Sequence, residues 1–170
     1  MTQAAQAPSA LRSHALASTR TALGTYVTVS CVVQCRGANA AIRAARAIEQ
    51  AFSAIALVEQ IMSLYRADSD VSRINRMAAE AAARRISVHP WTREVLQLAQ
   101  SLQRDSNGLF DCGIAPTLMQ WGLLPAGSDA IRSSATSAVA SSISKLRLHE
   151  DGTLSLLAPT VIDLGGIAKG

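Results

Sequence analysis

The stretch from Asn39 to Leu64 limits most strictly what this chain can become. Ala41, Ala45, Ile48, Phe52, Ile55, Val58 and Met62 recur at the three-and-four spacing of one buried helix face, and Asn39 is of a type that caps a helix start. At 1.5 Å per residue the helix would span roughly 39 Å, long enough to cross a whole sheet. It is therefore read as the main core element. Ahead of it, Leu23 to Val33 is rich in β-branched residues. Tyr26, Thr28 and Ser30 alternate there with Val27, Val29 and Cys31, the pattern of a half-buried strand, and Gly37 ends it. The class that follows is α+β: a mixed β-sheet packed by a long N-terminal helix and by shorter helices. Residues 1–19 are low in bulky side chains and read as a disordered N-terminal segment, leaving 20–170 as one folding unit.

Composition narrows the classes of function. With 49% hydrophobic and 16% charged residues the chain is globular rather than disordered. Its net charge of +4 would suit an anionic partner, but the arginines are scattered. Two phenylalanines, two tyrosines and two tryptophans offer little for base stacking, so nucleic acid is not expected as a partner. Cys31, Cys35 and Cys112 have no metal-site spacing. Cys31 and Cys35 on one strand would lie about 13 Å apart, too far for a disulfide. No run reaches the apolar length of a membrane span. Met1 to Ser18 holds no uninterrupted apolar segment of the secretory type, so as written the chain reads as cytoplasmic, with a periplasmic or membrane-associated place if its start lies elsewhere.

Farther along, Tyr65 to Asn75 packs hydroxyls, carboxylates and guanidiniums at a density suited to a site. A structural role suits the same residues, since Asp68 or Ser69 would cap a short helix bearing Val71 and Ile74, with Asp70 favoured at its first turn. Arg84 to Val88 reads as a short strand. His89-Pro90 opens a helix whose stripe is Trp91, Val95, Leu98, Ala99 and Leu102, and His89 is read as part of that helix start rather than as a catalytic base. Asn107 or Gly108 ends the helix, Pro116 begins another and Gly122 ends that one. Trp121 reads as core, the alternative being a flat wall for a ring. Residues 126–144, mostly Ala and Ser, are uninformative. Lys145 to His149 and Thr153 to Leu157 form a hairpin around Glu150-Asp151-Gly152.

The chain closes on Val161 to Gly170. A strand of Thr160, Val161 and Ile162 would deliver Gly165 and Gly166 to a surface where bare backbone amides can approach an anion. Lys169 adds a positive charge. The spacing matches neither the phosphate-loop nor the dinucleotide glycine pattern, and taken by itself a Gly-Gly strand exit is more often an ordinary turn.

The order of four motifs says more than any one of them. Leu23-Gly-Thr; Met62-Ser-x-Tyr-Arg with Ser69-Asp-Val-Ser-Arg-Ile-Asn75; Gly108-Leu-Phe-Asp-Cys112 with Trp121-Gly; and Asp163-Leu-Gly-Gly-Ile-Ala-Lys-Gly170 succeed one another. In that succession the chain resembles the FAD:protein FMN transferases, the ApbE-type flavin transferases, from about Arg20 onward. The resemblance implies an enzyme that, with Mg2+, cleaves FAD and transfers FMN to a Thr or Ser hydroxyl of a target protein, releasing AMP. It implies that Leu23, Gly24, Thr25 and Tyr65 face the isoalloxazine ring and that Trp121 lies near the nucleotide. Gly165, Gly166 and Lys169 would approach the phosphates, and the Ala168 carbonyl would give the metal one oxygen. It also implies that the rest of the metal site comes from a later segment, so the chain is read as the N-terminal portion of such a domain. FAD hydrolysis to FMN and AMP, an inactive flavin-binding fragment, and a generic phosphate-binding domain are the alternatives.

Overall fold

A computed structural model describes residues 12–35, 39–80, 84–124 and 141–168, with the side chains of 12–14 and 35 left aside. Expectations for residues 1–11, for Gly37, for most of the Ala/Ser segment, and for Lys169 and Gly170 lie outside the described residues. The chain divides into two compact units, residues 1–57 and 58–170.

In the first unit, strand β1 (Arg12–Ala22) pairs antiparallel with β2 (Thr25–Cys35), in register from Ala22↔Thr25 to Arg12↔Cys35. The two-residue turn has positive φ at both positions, 55° at Leu23 and 75° at Gly24. That is the requirement of a tight type I′ hairpin; glycine meets it freely and leucine rarely. Residues 12–19, expected to be disordered, are thus the larger part of a strand. Their Ala and Ser content carries little strand propensity, and the pairing is set instead by β2, which faces them residue for residue. The alternation in β2 is as read: Tyr26, Thr28 and Ser30 are exposed, and Val27, Val29 and Cys31 partly covered.

Helix α1 (Ala40–Met62) follows. Its buried seam begins at Ala40 and Ala44 rather than Ala41 and Ala45, then continues through Ile48 and Phe52. Alanine occupies all four early positions, so composition could not separate one face from its neighbour. Arg20 of β1 ties the hairpin to this helix twice: it pairs with Glu49, and its guanidinium lies 4.3 Å from the Phe52 ring centroid.

In the second unit, α2 (Asp70–Ala79), α3 (Pro90–Asp105) and α4 (Ala115–Gln120) accompany a three-stranded antiparallel sheet. Its strands are β3 (Ile86–Ser87), β4 (Leu146–Leu148) and β5 (Thr153–Leu156), in the order β3-β5-β4. The hairpin joining β4 to β5 turns at Gly152, as expected, with Leu148 opposite Leu154. Val71, Ile74 and Met77 of α2, Leu96 and Ala99 of α3, Leu146 and Leu154 of the sheet, and Ile162 and Leu164 close to the chain end share one core.

Helix α3 is turned away from its expected stripe: Thr92, Leu96 and Ala99 are buried, while Trp91, Leu98 and Leu102 are exposed. The cause is polar. Asp70, itself buried, accepts hydrogen bonds from the His89 backbone N–H and the Thr92 hydroxyl, each at 2.8 Å, and these bonds draw the Thr92 face inward. No helix among the described residues is long and apolar enough to cross a membrane.

Candidate functional site

The dense segment after α1 is a set of clamps. Ser69 is the N-cap of α2, accepting from the Ser72 N–H at 3.0 Å, as the sequence allowed. Its hydroxyl donates to the Ser63 carbonyl at 2.6 Å. The Ser72 hydroxyl donates to the Leu64 carbonyl at 3.3 Å, and Arg76 donates to the Ala67 carbonyl at 2.8 Å. Three side chains on or capping one helix therefore hold the turn that carries Tyr65. The Tyr65 side chain is left 71% exposed.

The same helix reaches the end of the chain. Residues 160–162 are buried but belong to no strand, which corrects the expectation of a last β-strand. Side chains supply the missing ladder. The Asn75 amide donates to the Ile162 carbonyl and accepts from its N–H, both at 2.9 Å. The Ser141 hydroxyl serves Val161 in the same way, at 3.0 and 3.1 Å. The Asp163 N–H donates to the Cys112 carbonyl at 2.9 Å. A strand neighbour would satisfy these buried backbone groups; here two side chains and one carbonyl do so.

Beyond Asp163 the backbone makes one helical turn, in which the Ala168 N–H donates to the Leu164 carbonyl at 2.8 Å. Gly165 and Gly166 are exposed on that turn. The Gly165 amide is engaged by the Asp163 carboxylate at 3.0 Å, whereas a Cβ on Gly166 would meet open space. The paired glycines thus present bare backbone at the surface.

A small apolar cluster gathers these parts. Ala115 and Val161 are its buried members, with Leu64, Met119 and Leu124 packed on them. Leu64 precedes Tyr65, Met119 and Leu124 bracket Trp121, and Val161 leads into the glycine turn. Tyr65 and Trp121 are thus sequence neighbours of its members, whereas Ile167 and Ala168 of the glycine turn pack on the larger core. Trp121 is not core but 65% exposed: α4 ends there, with the Leu123 N–H donating to the Leu118 carbonyl at 2.8 Å and the Gly122 N–H to Met119 at 3.0 Å. That closure leaves Met119 and Leu124, both partly buried, to pack on the cluster. Leu23, Gly24 and Thr25 form the hairpin tip of the other unit. Lys169 lies outside the described residues.

Asp111, which its sequence neighbours do not single out, is the second knot of the unit. Its Oδ1 accepts from the Gly113 N–H at 2.7 Å and the Ile143 N–H at 2.8 Å, and its Oδ2 from the Ser142 hydroxyl at 2.6 Å. A carboxylate filled in this way has little left for a metal. Cys112 lies beside it and is inert as a nucleophile, since burial, reinforced by the charges of Asp111 and Asp163, pushes its thiol up to about 12. Among the described residues no three His, Cys, Asp or Glu side chains are grouped to hold a metal. Magnesium demands six hard oxygen ligands, so these residues alone do not fit a complete cation site.

The model of the ApbE family matches residues 23–170. The solved flavinyl transferase ApbE of Pseudomonas stutzeri is 25% identical, with a TM-score of 0.72 over 92% of this chain and 49% of that one. The flavin transferase ApbE of Vibrio cholerae is 23% identical, with a TM-score of 0.73 over 93% of this chain and 50% of its own. The ApbE protein of Thermotoga maritima, at 21% identity, shares the fold with a TM-score of 0.68 over 92% and 49%. The chain therefore spans about half the length of these structures. No curated protein sequence matches it.

Proposed function

This chain belongs to the ApbE family, and we propose from that membership that it is the N-terminal part of an FAD:protein FMN transferase. The observation that carries the proposal is the family match from Leu23 to Gly170, which takes in all four motifs. The geometry is compatible with it: the aromatic residues at 65 and 121 are exposed, their sequence neighbours Leu64, Met119 and Leu124 share one apolar cluster with Val161, and the Gly-Gly turn that follows Val161 is exposed. FAD joins a flat ring system to a pyrophosphate and so calls for both kinds of surface.

In this reading Tyr65 and the Leu23-Gly24-Thr25 turn face the isoalloxazine ring, Trp121 lies near the nucleotide, and Gly165, Gly166 and Lys169 approach the phosphates. A Thr or Ser hydroxyl oxygen of the target protein forms a bond to the FMN phosphorus and gives its proton to solvent, the pyrophosphate P–O bond breaks, and AMP departs with the electron pair. Bound magnesium would supply charge neutralisation on the phosphates. The Ala168 carbonyl is the ligand this chain would give it, and the remaining ligands would come from FAD, water or residues other than those described. What the protein's own groups contribute is positioning.

The test is incubation of the protein with FAD, Mg2+ and a Thr-containing acceptor, following AMP release and covalent flavin fluorescence on the acceptor. AMP release with labelled acceptor, both abolished by EDTA, is the expected result. AMP with free FMN and no labelled acceptor would make the protein an FAD pyrophosphatase. Flavin binding without AMP would leave it a binding fragment, and a folded protein that binds no FAD would sink the flavin reading.

A further inference from the structure

We infer that helix α2 acts as a rigid spacer that fixes the ring-binding surface relative to the phosphate-binding surface, with Asn75, in the body of the helix, as the positioning residue on its phosphate side. The inference rests on the flavin reading above and deepens it. On one side the helix holds the Tyr65 turn, through the carbonyls of Ser63, Leu64 and Ala67, by Ser69, Ser72 and Arg76. On the other it holds Ile162, whose N–H and C=O are both taken by Asn75, between Ser72 and Arg76 in the helix. Three residues after Ile162 comes Gly165. Both sets of bonds come from a helix of ten residues and its N-cap, and an α-helix is stiff over that length.

The grip of Asn75 is unusual in kind as well as in place. Its side chain is 1% exposed, and it spends its amide on one residue far along the chain rather than on a helix end or a turn nearby. Ile162 has no strand partner, so its backbone N–H and C=O are satisfied by this amide, while Ser141 holds Val161 before it and the Cys112 carbonyl holds Asp163 after it. A ligand that carries both a ring and a pyrophosphate gains from having the two surfaces fixed at one spacing, because binding at one end then presents the other at high effective concentration. A ligand with only one of the two groups gains nothing from the spacing. It depends only on the clamp at its own end.

The experiment titrates FAD, riboflavin and ADP against the wild-type chain, Asn75→Ala and Ser72→Ala, with thermal unfolding of each variant recorded alongside. For Asn75→Ala we expect FAD and ADP affinities to fall roughly tenfold or more while riboflavin changes less than about threefold. For Ser72→Ala the pattern reverses, with riboflavin and FAD weakened by about threefold to tenfold and ADP retained. A residue that only stabilises the fold would weaken all three ligands alike. Uniform loss in folded variants, or no change for any ligand, therefore overturns the spacer. Should Asn75→Ala fail to fold, the ring-selective loss in Ser72→Ala decides the matter, because that hydroxyl is half-buried and its removal leaves the Ile162 bonds in place. Wild-type protein that binds ADP as well as FAD would refute the flavin reading before any substitution is compared, and the spacer with it.

Discussion

Helix α2 and the aromatic positions beside it carry their chemistry in opposite ways. The helix and its cap place Ser69, Asp70 and Asn75 almost entirely out of water, and each has its hydrogen-bond partners. Indeed no buried side-chain polar atom among the described residues lacks one. Tyr65 and Trp121, by contrast, hold large apolar faces in solvent. A buried polar group that loses its partner costs the fold its desolvation, whereas an exposed ring contributes little to stability and remains available to a ligand. Within the crowded segment, which looks like a site in sequence, the buried polar residues thus serve as frame, and under the flavin reading proposed above the exposed rings of Tyr65 and Trp121 would be the working surface. Substitutions in the two regions should therefore separate stability from binding.

The largest stability effect should fall on the frame at Gly113. A Cβ there would stand 2.5 Å from the Ser142 Cα and 2.7 Å from its nitrogen, contacts with backbone that no rotamer change can relieve. Gly113→Ala should cost about 3 kcal/mol or more, read by urea unfolding, and a loss below about 1 kcal/mol would show that the two segments are free to separate. Asp70→Ala comes next, at about 2 kcal/mol, because the His89 N–H and the Thr92 hydroxyl lose their acceptor together. The Arg73 pairing adds little to that figure, since its side chain is 42% exposed and the pair is screened by solvent on that side.

Those two residues also mark the limit of what the sequence could disclose. The Ser69 cap, the left-handed Asn107 and Gly108, and the hairpin turning at Gly152 were legible because each is decided by a few adjacent residues. The Gly-Gly turn, Tyr65 and Trp121 stood out by residue type and motif order. Partners distant in sequence did not. Asn75 meets Ile162 across 87 positions and Asp111 meets Ile143 across 32, and neither amide nor carboxylate announces such a partner. For the same reason the α3 stripe is misleading: Trp91, Leu98 and Leu102 have the right spacing and apolarity, but Asp70 settles which face turns inward through Thr92. Strand β1 escapes a reading of composition because its order comes from pairing with β2 rather than from its own residues.

A smaller frame effect is expected in alkali. Cys112 has its thiol raised from 9.0 to about 12 in the folded protein, so the unfolded chain gives up this proton first. The contribution is whole below pH 9 and is lost as pH rises toward 12. Between about pH 8 and pH 10 the wild type should lose about 1 kcal/mol more stability than Cys112→Ala. Equal losses in the two proteins would mean that the thiol is not shielded by its surroundings.

The smallest stability change belongs to the rings, and it tests the comparison from the other side. Trp121 follows the last residue of α4, where the helix is closed by backbone bonds to Leu118 and Met119 and the apolar contacts are made by Met119 and Leu124. Removing the indole takes nothing from that closure, so Trp121→Ala should shift unfolding by less than about 0.5 kcal/mol. Tyr65→Ala should behave alike, because Ser69, Ser72 and Arg76 hold its turn through backbone carbonyls. If these rings are the working surface, FAD affinity falls in the same proteins roughly tenfold, a loss of about 1.4 kcal/mol of binding free energy with the fold intact. A tryptophan or tyrosine whose removal unfolds the chain would belong to the frame after all. One whose removal changes neither stability nor FAD binding would belong to neither region, and the division between frame and surface would have to be drawn elsewhere.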